Sequence, residues 1–547
     1  MLGHPLGMLP MSTQLQVNLD ALIAREDFEE TEATSSSRRP ITEIRVEDLE
    51  HGRPLFSNIC KPDFQRVTAN WSPEKVADFI RSVLHEEFVP SLIMWESKLN
   101  GKLFVIDGAH RLSALMAWVN NDYGNGPLSK KFFGEEGISE TQKKYAKTTS
   151  DLVEQIGTYA NLKFYAQYPE KAPSEEVKIT ARKLFNSRLD LQWVGGDART
   201  AERSFFKINM SATIIDDTEL AILKARKKPN AIATRALMHA GRGHKFWSEF
   251  PAEAQKEIER LAQQIYDALF KPILEDPIKT VELPAGGQSY SAHSFQMLLD
   301  IVNTVNKITP AEWIERTGAK SKSATGKMLE DDIDGDATIR LLKAVRKAAW
   351  LICGNQSGSL GLHPVVYVYG ATGKFHPSAL LAEIKFFTDL KERGALKDFC
   401  KHRYEFEEFL ATHRRFINNL SHSKGSRTRP VESFLTLYRL VLEGVKEGLT
   451  TSQIEAKLAV DPQLKGLEVD GKTDNDIGYR KRFSKDVRSA DYLDRAINSP
   501  IRCGICRARL HSKSMNSDHK NPQRDGGMGN PENHQLTHYF CNDGDKN

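Results

Sequence analysis

The spacing of apolar residues predicts that the chain begins with a small mixed segment of strands and helices. Polar and apolar residues alternate over residues 41–46, which indicates a strand. Ser72-Pro73-Glu74 is a typical helix start, and the apolar residues after it recur at helical spacing. Two short apolar runs, residues 90–95 and 102–106, flank Asn100-Gly101, which is the strongest short-range signal for a hairpin.

From about residue 140 to residue 460 the apolar spacing is mostly helical, and strand signals are few. Helices are predicted at residues 175–189, 252–270, 293–305, 337–351, 378–390, 404–420 and 431–445. One apolar run, residues 364–369, is predicted as a short strand. The run after it, residues 370–374, has too few residues between its glycines for a phosphate loop and is followed by Phe375, so we interpret it as a turn.

Polar stretches divide the chain and set the predicted domain boundaries. Residues 1–40 are predicted as a flexible leader, because their second half is polar and ends in three serines, two arginines and a proline. Residues 466–499 are charged and become basic, which indicates a linker. The predicted fold class is therefore α+β, with an N-terminal α/β domain at 41–245, an α-helical domain at 246–465 and a small C-terminal module at 500–547.

Composition limits the classes of function. The 547 residues carry 76 Lys and Arg against 72 Asp and Glu, so any contact with nucleic acid has to be local. Basic clusters that could make such contacts lie at residues 226–228, 414–415, 424–429 and 480–485. The chain has no apolar run long enough for a bilayer and no secretion signal at its start, so we expect a cytoplasmic protein that does not contact membranes.

Six cysteines are too few for a disulfide framework, but three of them gather near the C-terminus. Cys503 and Cys506 form one closely spaced pair, and His538 and Cys541 form a second pair with the same spacing. A Cys3His set is typical of a structural Zn²⁺ site. A module of this size needs such a site for stability, because its own apolar core is too small. The alternative is a group of free cytosolic thiols.

The residues between the two pairs suit the hydrolysis of a phosphodiester. Asp518 offers a hard oxygen ligand, His519 a general base, and Asn542 a second oxygen, a set that suits Mg²⁺ or Mn²⁺. His538 stands four residues before Asn542 and could instead join this catalytic metal. We favour zinc for His538, because the zinc site would otherwise have only three ligands, Cys503, Cys506 and Cys541.

The order of Asp518-His519, Gly526-Gly527, Asn533 and Asn542 resembles that of an HNH nuclease of the ββα-metal kind over residues 500–547. The resemblance implies a DNA endonuclease. It also implies a structural role for Asn533, which would brace the loop that holds the histidine.

Near the N-terminus, residues 105–115 read as a strand, a tight turn and a helix. The N–H groups at the start of that helix would form an anion site, Gly108 would let a phosphate approach, and Arg111 would add a bidentate cation. An ordinary strand-to-helix turn is the alternative.

Together with Gln65, Arg66, Trp71 and Asn209, this segment resembles the ParB/sulfiredoxin-like superfamily over residues 40–210. The similarity is to its DGQQR/DGQHR branch, found in GmrSD-type restriction enzymes and phosphorothioate-linked defence proteins. It implies a site for a nucleoside triphosphate such as GTP, lined by Asp107, Gly108, His110 and Arg111, with Gln65, Arg66 and Asn209 nearby. Ala109 replaces the usual Gln, so hydrolysis stays open.

The sequence thus predicts an HNH endonuclease of a restriction or anti-phage type, whose N-terminal domain binds or hydrolyses a nucleotide, or senses modified or phage DNA, and gates cleavage. Two alternatives stay open: a ParB-like binding protein without cleavage, and an RNA-targeting toxin. One HNH site per chain would need either two successive nicks or a homodimer or higher oligomer for a double-strand cut.

Overall fold

The structure is a computed structural model. It describes residues 16–26, 41–464, 467 and 485–544, except for 63, 64, 66, 67, 70, 99, 135–137, 139, 213–224, 243, 276, 289–291, 314–327, 422–427, 498 and 499. Within the helices, the side chains at positions 199, 206, 209–212, 292, 293, 428, 429, 485, 486 and 544 are also outside the description. The chain is divided into two compact units, one of residues 1–226 and 242–246, the other of residues 227–241 and 247–547.

The first unit contains a mixed six-stranded sheet. Its strands are β1 (Ala24–Glu26), β2 (Glu43–Arg45), β3 (Ile59–Pro62), β4 (Leu92–Glu96), β5 (Leu103–Asp107) and β6 (Arg188–Trp193), in the order β1-β3-β5-β4-β6-β2. The predicted hairpin is confirmed, because β4 and β5 pair antiparallel. The pairs β1 with β3, β3 with β5 and β4 with β6 are parallel, and the edge strand β2 pairs antiparallel with β6.

The helices of this unit are α1 (Pro54–Asn58), α2 (Pro73–Leu84), α3 (Ala109–Asn120), α4 (Pro127–Phe133), α5 (Glu140–Ile156), α6 (Tyr159–Gln167), α7 (Glu175–Leu184) and α8 (Ala198–Ala212). The predicted start of α2 is confirmed, since the Ser72 hydroxyl accepts the Lys75 N–H. The apolar faces of α2 and α3 share one core with the sheet. Ala201 and Phe205 of α8 belong to a separate core with Trp95 and Phe104.

The leader predicted for residues 1–40 is wrong for residues 16–26. Val17, Leu19, Leu22 and Ile23 are buried, and the Val17 N–H donates to the Trp71 carbonyl at 2.8 Å. β1 then pairs with β3 as an edge strand. The apolar run is too short to stand out beside the polar residues that follow, and its partners lie tens of residues away. Residues 1–15 and 27–40 lie outside the described part of the chain.

The second unit is largely helical. Its helices are α9 (Pro229–Met238), α10 (Ala252–Phe270), α11 (Ala292–Val305), α12 (Asp336–Cys353), α13 (Pro364–Tyr367), α14 (Pro377–Glu392), α15 (Leu396–Thr412), α16 (Arg415–Ser421), α17 (Thr428–Lys446), α18 (Thr451–Ala459), α19 (Lys485–Ile497) and α20 (Tyr539–Gly544), and its strands are β7 (Met515–His519) and β8 (His534–His538). Short 3₁₀ helices in the two units lie at Asp20–Leu22, Val46–Leu49, Pro169–Lys171, Pro310–Glu312, Pro462–Leu464, Ser512–Ser514, Gln523–Asp525 and Pro531–Asn533. Among the described helices, none combines the length and apolar character needed to cross a membrane.

Further predicted elements of the chain differ from the structure. The strand predicted at 364–369 is wrong, because Pro364–Tyr367 forms a buried helical turn that begins at a proline and is capped by His363. The helix predicted at 404–420 is broken between α15 and α16. The linker predicted at 466–499 is wrong for Lys485–Ile497, which is α19.

The helix predicted at 175–189 ends earlier, at Leu184, because residues 188–193 form β6. Leu189 and Leu191 of this strand are buried while their neighbours are exposed, which is the alternation of a strand with one covered face.

Candidate functional site

The C-terminal residues fold as two antiparallel strands followed directly by a helix. In the β7–β8 ladder, Asp518 lies opposite Gln535 and His519 lies opposite His534. α20 begins immediately after β8 and contacts both strands. The order strand, strand, helix therefore places Asn542 of α20 in the same small module as Asp518 and His519.

The two adjacent residues of β7 have different surroundings. Asp518 is 6% exposed, and its Oδ2 accepts a hydrogen bond from Gln535 Nε2 at 3.1 Å. His519 is half-buried at the end of the strand, and His534 opposite it is exposed. Because successive side chains of a strand point to opposite faces, the carboxylate is held inward while the imidazole stays accessible.

Asn533 closes the loop that follows His519. Its Oδ1 accepts the Asn521 N–H at 2.7 Å, and its Nδ2 donates to the carbonyls of Asn521 at 3.1 Å and Met528 at 2.8 Å. Gly527 lies so close to this loop that a Cβ would stand 1.8 Å from the Asn521 carbonyl oxygen. These contacts support the bracing role that the HNH resemblance implies for Asn533.

Four side chains of this module could hold one metal ion. The ligand atoms of Cys503, Cys506, His538 and Cys541 all lie within 4.8 Å of one another. His538 Nδ1 is 3.5 Å from Cys506 Sγ, while its Nε2 is 3.0 Å from the Arg509 carbonyl oxygen. An N–H on Nε2 would donate to that carbonyl and leave the Nδ1 lone pair facing the thiols. This arrangement fits a structural Zn²⁺ and favours zinc over the catalytic metal for His538.

The protonation of these groups suits a metal site. Burial lowers the pKa of His538, so its imidazole is neutral, as a ligand must be. Hydrogen bonds from Cys506 and Cys541 lower the pKa of Cys503, while hydrogen bonds with neighbouring thiols raise the pKa of Cys506 and of Cys541. One of the three thiols therefore ionises readily, and a bound cation would be needed to ionise the other two. A fourth thiol, Cys400 of α15, forms a hydrogen bond with Cys541 but is not one of the four clustered ligands.

The module is packed against the helices of its own unit. Lys513 Nζ donates to carbonyls at the end of α10, among them that of Ala268 at 2.8 Å. Glu408 of α15 accepts from Arg509 at 2.6 Å and from Arg502 at 3.1 Å. The Phe540 N–H at the start of α20 donates to the Ser359 carbonyl at 3.0 Å.

In the first unit, most of the predicted nucleotide-site residues line one cavity of about 340 Å³. Its lining residues are Gln65, Thr68, Trp71, Lys75, Phe79, Ser82, Phe88, Val89, Pro90, Asp107, Gly108, Ala109, His110, Arg111 and Phe205. Arg66 lies outside the described residues. Asn209 is on α8, which also contributes Phe205 to the cavity, but its side chain lies outside the description.

The tight turn between β5 and α3 depends on Gly108. Its φ is 93°, and a Cβ there would stand 2.4 Å from Leu92 Cδ2. Arg111, one turn later, already has partners: its guanidinium donates to Asp107 Oδ2 at 2.8 Å and to the Pro90 and Ser91 carbonyls. Arg111 therefore fixes the cavity wall, and its predicted contact with a phosphate stays a prediction.

Aromatic side chains form another part of the wall. Trp71 stacks on His110 with ring centroids 5.9 Å apart and meets Phe79 edge-on at 5.5 Å. Lys75 Nζ lies 4.9 Å from the Trp71 ring, and Phe88 is 91% exposed. Lys75 and Phe79 are not among the predicted site residues, although they lie four residues apart on one face of α2 and follow Trp71, which precedes the helix. A cavity wall of aromatic side chains suits a ligand that contains a planar ring.

The comparison with protein families gives a match to the first unit and the start of the second. Residues 52–271 match the family model described as GmrSD restriction endonuclease, N-terminal domain. This GmrSD-like segment contains every lining residue of the cavity and ends before the C-terminal module. The match supports the resemblance to GmrSD-type restriction enzymes. No curated protein and no solved structure matches the chain.

The predicted basic clusters give little support for contacts with nucleic acid. Arg226 pairs with Glu202, and Lys228 pairs with Asp331 at 2.8 Å. Arg414 is 4% exposed and donates to the Gly370 carbonyl at 2.7 Å, so it fixes the turn at 370–374. Residues 424–427 and 480–484 lie outside the described part of the chain.

Proposed function

We propose that the protein is a divalent-metal-dependent DNA endonuclease of a restriction or anti-phage defence type. The observation that carries this proposal is the β7–β8–α20 arrangement, in which Asp518 and His519 share one strand and Asn542 lies on the following helix. The match of residues 52–271 to the N-terminal domain of GmrSD restriction endonucleases supports the restriction-type role.

In this proposal His519 is the general base that takes a proton from the attacking water, and its accessible position at the end of β7 suits that task. Asp518 and Asn542 are hard oxygen donors and would hold Mg²⁺ or Mn²⁺. The bound ion supplies positive charge to the scissile phosphate and the leaving oxygen. Gln535 fixes the Asp518 carboxylate, and Asn533 fixes the loop after His519.

The Cys3His cluster would hold a structural Zn²⁺ that joins the two ends of the module. Cys503 and Cys506 lie before β7, whereas His538 and Cys541 lie at the junction of β8 and α20. One ion bound by all four would therefore fix the position of α20, and with it that of Asn542.

We further propose that the cavity of the GmrSD-like segment binds a nucleoside triphosphate such as GTP, or a modified DNA group, and that its occupancy gates cleavage. Gln65, Asp107, Gly108, His110 and Arg111 line this cavity. The Ala109 substitution favours binding without hydrolysis, because the alanine cannot orient water as an amide could.

The test is a nicking assay with purified wild type, His519→Ala and His534→Ala. Plain plasmid and phage-derived modified plasmid are incubated with Mg²⁺ or Mn²⁺, with and without each nucleoside triphosphate. Wild type and His534→Ala should cut, and His519→Ala should be at least about 100-fold slower. His534 is a matched control because it faces His519 in the ladder and has no proposed role.

Two results would contradict the proposal. Cutting by His519→Ala at the wild-type rate would remove the histidine from the mechanism. If none of the three proteins cuts DNA, a second assay on RNA separates the RNA-targeting toxin from the binding protein without cleavage.

A further inference from the structure

One loop of the second unit contacts the ββα module, which consists of β7, β8 and α20, at several points. The loop comprises residues 354–361 between α12 and α13, and we call it the support segment. Its Gly354 carbonyl accepts a hydrogen bond from Ser514 Oγ at 2.8 Å, immediately before β7. A Cβ on Gly361 would stand 2.7 Å from Ser514 Cβ and 3.2 Å from Cδ2 of His538, the last residue of β8. The support segment therefore lies against the end of the ladder where β7 begins and β8 ends.

The support segment also holds α20, the helix that carries Asn542. The Phe540 N–H donates to the Ser359 carbonyl at 3.0 Å. The Gly358 N–H donates to Asp543 Oδ2 at 3.2 Å. These two bonds are made by residues on both sides of Asn542 in the chain, so the position of this proposed metal ligand depends on that of the support segment.

A buried arginine fixes the support segment. Arg403 of α15 donates from Nη1 to the Leu360 carbonyl at 2.7 Å and from Nη2 to the Gly361 carbonyl at 3.3 Å. Its Nε donates to Glu407 Oε1 at 2.6 Å, and both of these side chains are fully buried. The planar guanidinium thus binds one carboxylate and two consecutive carbonyls at the same time, which a lysine could not do.

Stability alone does not explain the burial of this ion pair. Moving two charges out of water costs about as much free energy as their attraction supplies, so an apolar pair of similar size is often at least as stable. The fork of donors on Arg403 instead supplies direction, because it fits one arrangement of the Leu360 and Gly361 carbonyls.

We infer that Arg403 is a positioning residue of the proposed nuclease site, which fixes α20 and Asn542 through the support segment. The inference rests on the proposed nuclease function and extends it to α15, a helix outside the ββα module. Arg403 touches neither the substrate nor the catalytic metal in this role.

The test measures the binding of Mn²⁺, the zinc content and the nicking rate of the full chain. Arg403→Met alone would leave Glu407 buried without its cation, so the variant is Arg403→Met/Glu407→Gln, whose glutamine can still accept from the Tyr367 hydroxyl. It should keep one Zn²⁺ per chain, because the four clustered ligands are unchanged. It should bind Mn²⁺ about tenfold more weakly and nick more slowly, because Asn542 is no longer held in place.

Electron paramagnetic resonance of free Mn²⁺ gives the affinity, and elemental analysis gives the zinc content. The difference between wild type and Asp518→Ala defines the ion bound at the nuclease site. Arg403→Lys keeps a charge beside Glu407 but loses the fork of donors, so its affinity for Mn²⁺ should lie between those of wild type and the double variant.

Arg414→Met is the matched control. Arg414 is also buried and also donates to two consecutive carbonyls, those of Tyr369 and Gly370, but these belong to the turn at 370–374. This variant should bind Mn²⁺ as wild type does, which separates positioning from general damage to the helical core. Ser514→Ala removes only the hydrogen bond to the Gly354 carbonyl and serves if the double variant does not fold. Its affinity for Mn²⁺ should fall about threefold with the zinc retained.

The outcomes separate the inference from the proposed function. If the double variant and Ser514→Ala bind Mn²⁺ and nick as wild type does, the inference is overturned and the nuclease proposal stands. If the folded double variant loses its zinc, Arg403 maintains the zinc site and the positioning role is overturned. If wild type neither nicks DNA nor binds more Mn²⁺ than Asp518→Ala, the nuclease proposal fails and the inference fails with it.

Discussion

At the scale of single residues, the candidate nuclease site assigns different environments to side chains with different tasks. Asp518 is buried and fixed by Gln535, as suits a metal ligand that must not move. His519 is half-buried at the end of its strand, as suits a base that must reach water. Strand alternation separates these two neighbours, and because His519 is the last residue of β7, the proposed mechanism can still bring both side chains to one phosphate.

Asn533 permits a graded test of the loop that follows His519. Asn533→Ala removes the three hydrogen bonds to Asn521 and Met528, so we expect the nicking rate to fall by about 10–100-fold, while the melting temperature changes little because the loop is exposed. Asn533→Asp keeps the acceptor for the Asn521 N–H, so its nicking rate should lie between those of wild type and Asn533→Ala. Single-turnover nicking gives the rates, and a full rate for Asn533→Ala would remove its bracing role.

Single residues also show which parts of the cavity a sequence motif can identify and which it cannot. The sequence identifies Asp107, Gly108, His110 and Arg111 because they are contiguous, and the structure places them in one cavity. It cannot identify the buried Lys61–Asp20 ion pair behind the lining residue Thr68, because its two members lie 41 residues apart in the chain. For the same reason the sequence does not reveal that Arg111 already has partners.

At the scale of elements, the Cys3His cluster brings the two ends of the ββα module together. Neither its two strands nor α20 is long, and its buried apolar core is small, consisting of Cys503, Leu510 and Cys541 with a few partly buried neighbours. A module of this kind depends on a bound metal for much of its stability.

Metal content provides the test of this dependence. Wild type should contain one Zn²⁺ per chain, and Cys506→Ser should lose it and the nicking activity with it. Cys400→Ser is the matched control: Cys400 contacts Cys541 but lies outside the four ligands, so this variant should keep the zinc. Elemental analysis of the purified proteins measures the content. Loss of zinc from Cys400→Ser would show that the Cys400 thiol is also a ligand.

The elements that the sequence predicts are those with local signals. Ser72 and Asn100-Gly101 mark α2 and the β4–β5 hairpin, and both are found. The strand predicted at 364–369 fails because that run is buried on all sides, so its apolar residues carry no period. β1 was missed because a three-residue edge strand forms only by pairing with β3. In α19, buried Ala490, Leu493 and Ile497 keep a helical spacing that the surrounding charges obscure.

At the scale of the whole molecule, the C-terminal module is part of the second compact unit, where Glu408 bridges it to α15. Glu408→Gln would leave Arg509, which is 4% exposed, without its charged partner. We expect the free energy of unfolding of this unit to fall by about 1–3 kcal/mol. Glu443→Gln, in an exposed pair with Lys457, should change it by less than about 0.5 kcal/mol. Denaturant titration of the full chain measures the free energy of unfolding of both variants. If Glu408→Gln lowers it no more than Glu443→Gln does, the contacts of Glu408 with Arg509 and Arg502 contribute no more than an exposed ion pair.

The proposed gate predicts how the two compact units depend on each other. The cavity belongs to the first unit, whereas the ββα module and the helices that hold it belong to the second. If a ligand in the cavity controls cleavage, a chain without the cavity can cut but cannot respond to that ligand, because regulation requires a binding free energy that differs between two states. A fragment of residues 227–547 should therefore keep its zinc and nick plasmid DNA at one rate with and without GTP, while the full chain changes its rate. Nicking assays of the two proteins side by side measure the response. A fragment that still responds to GTP would place the nucleotide site in the second unit and contradict the assignment of the cavity.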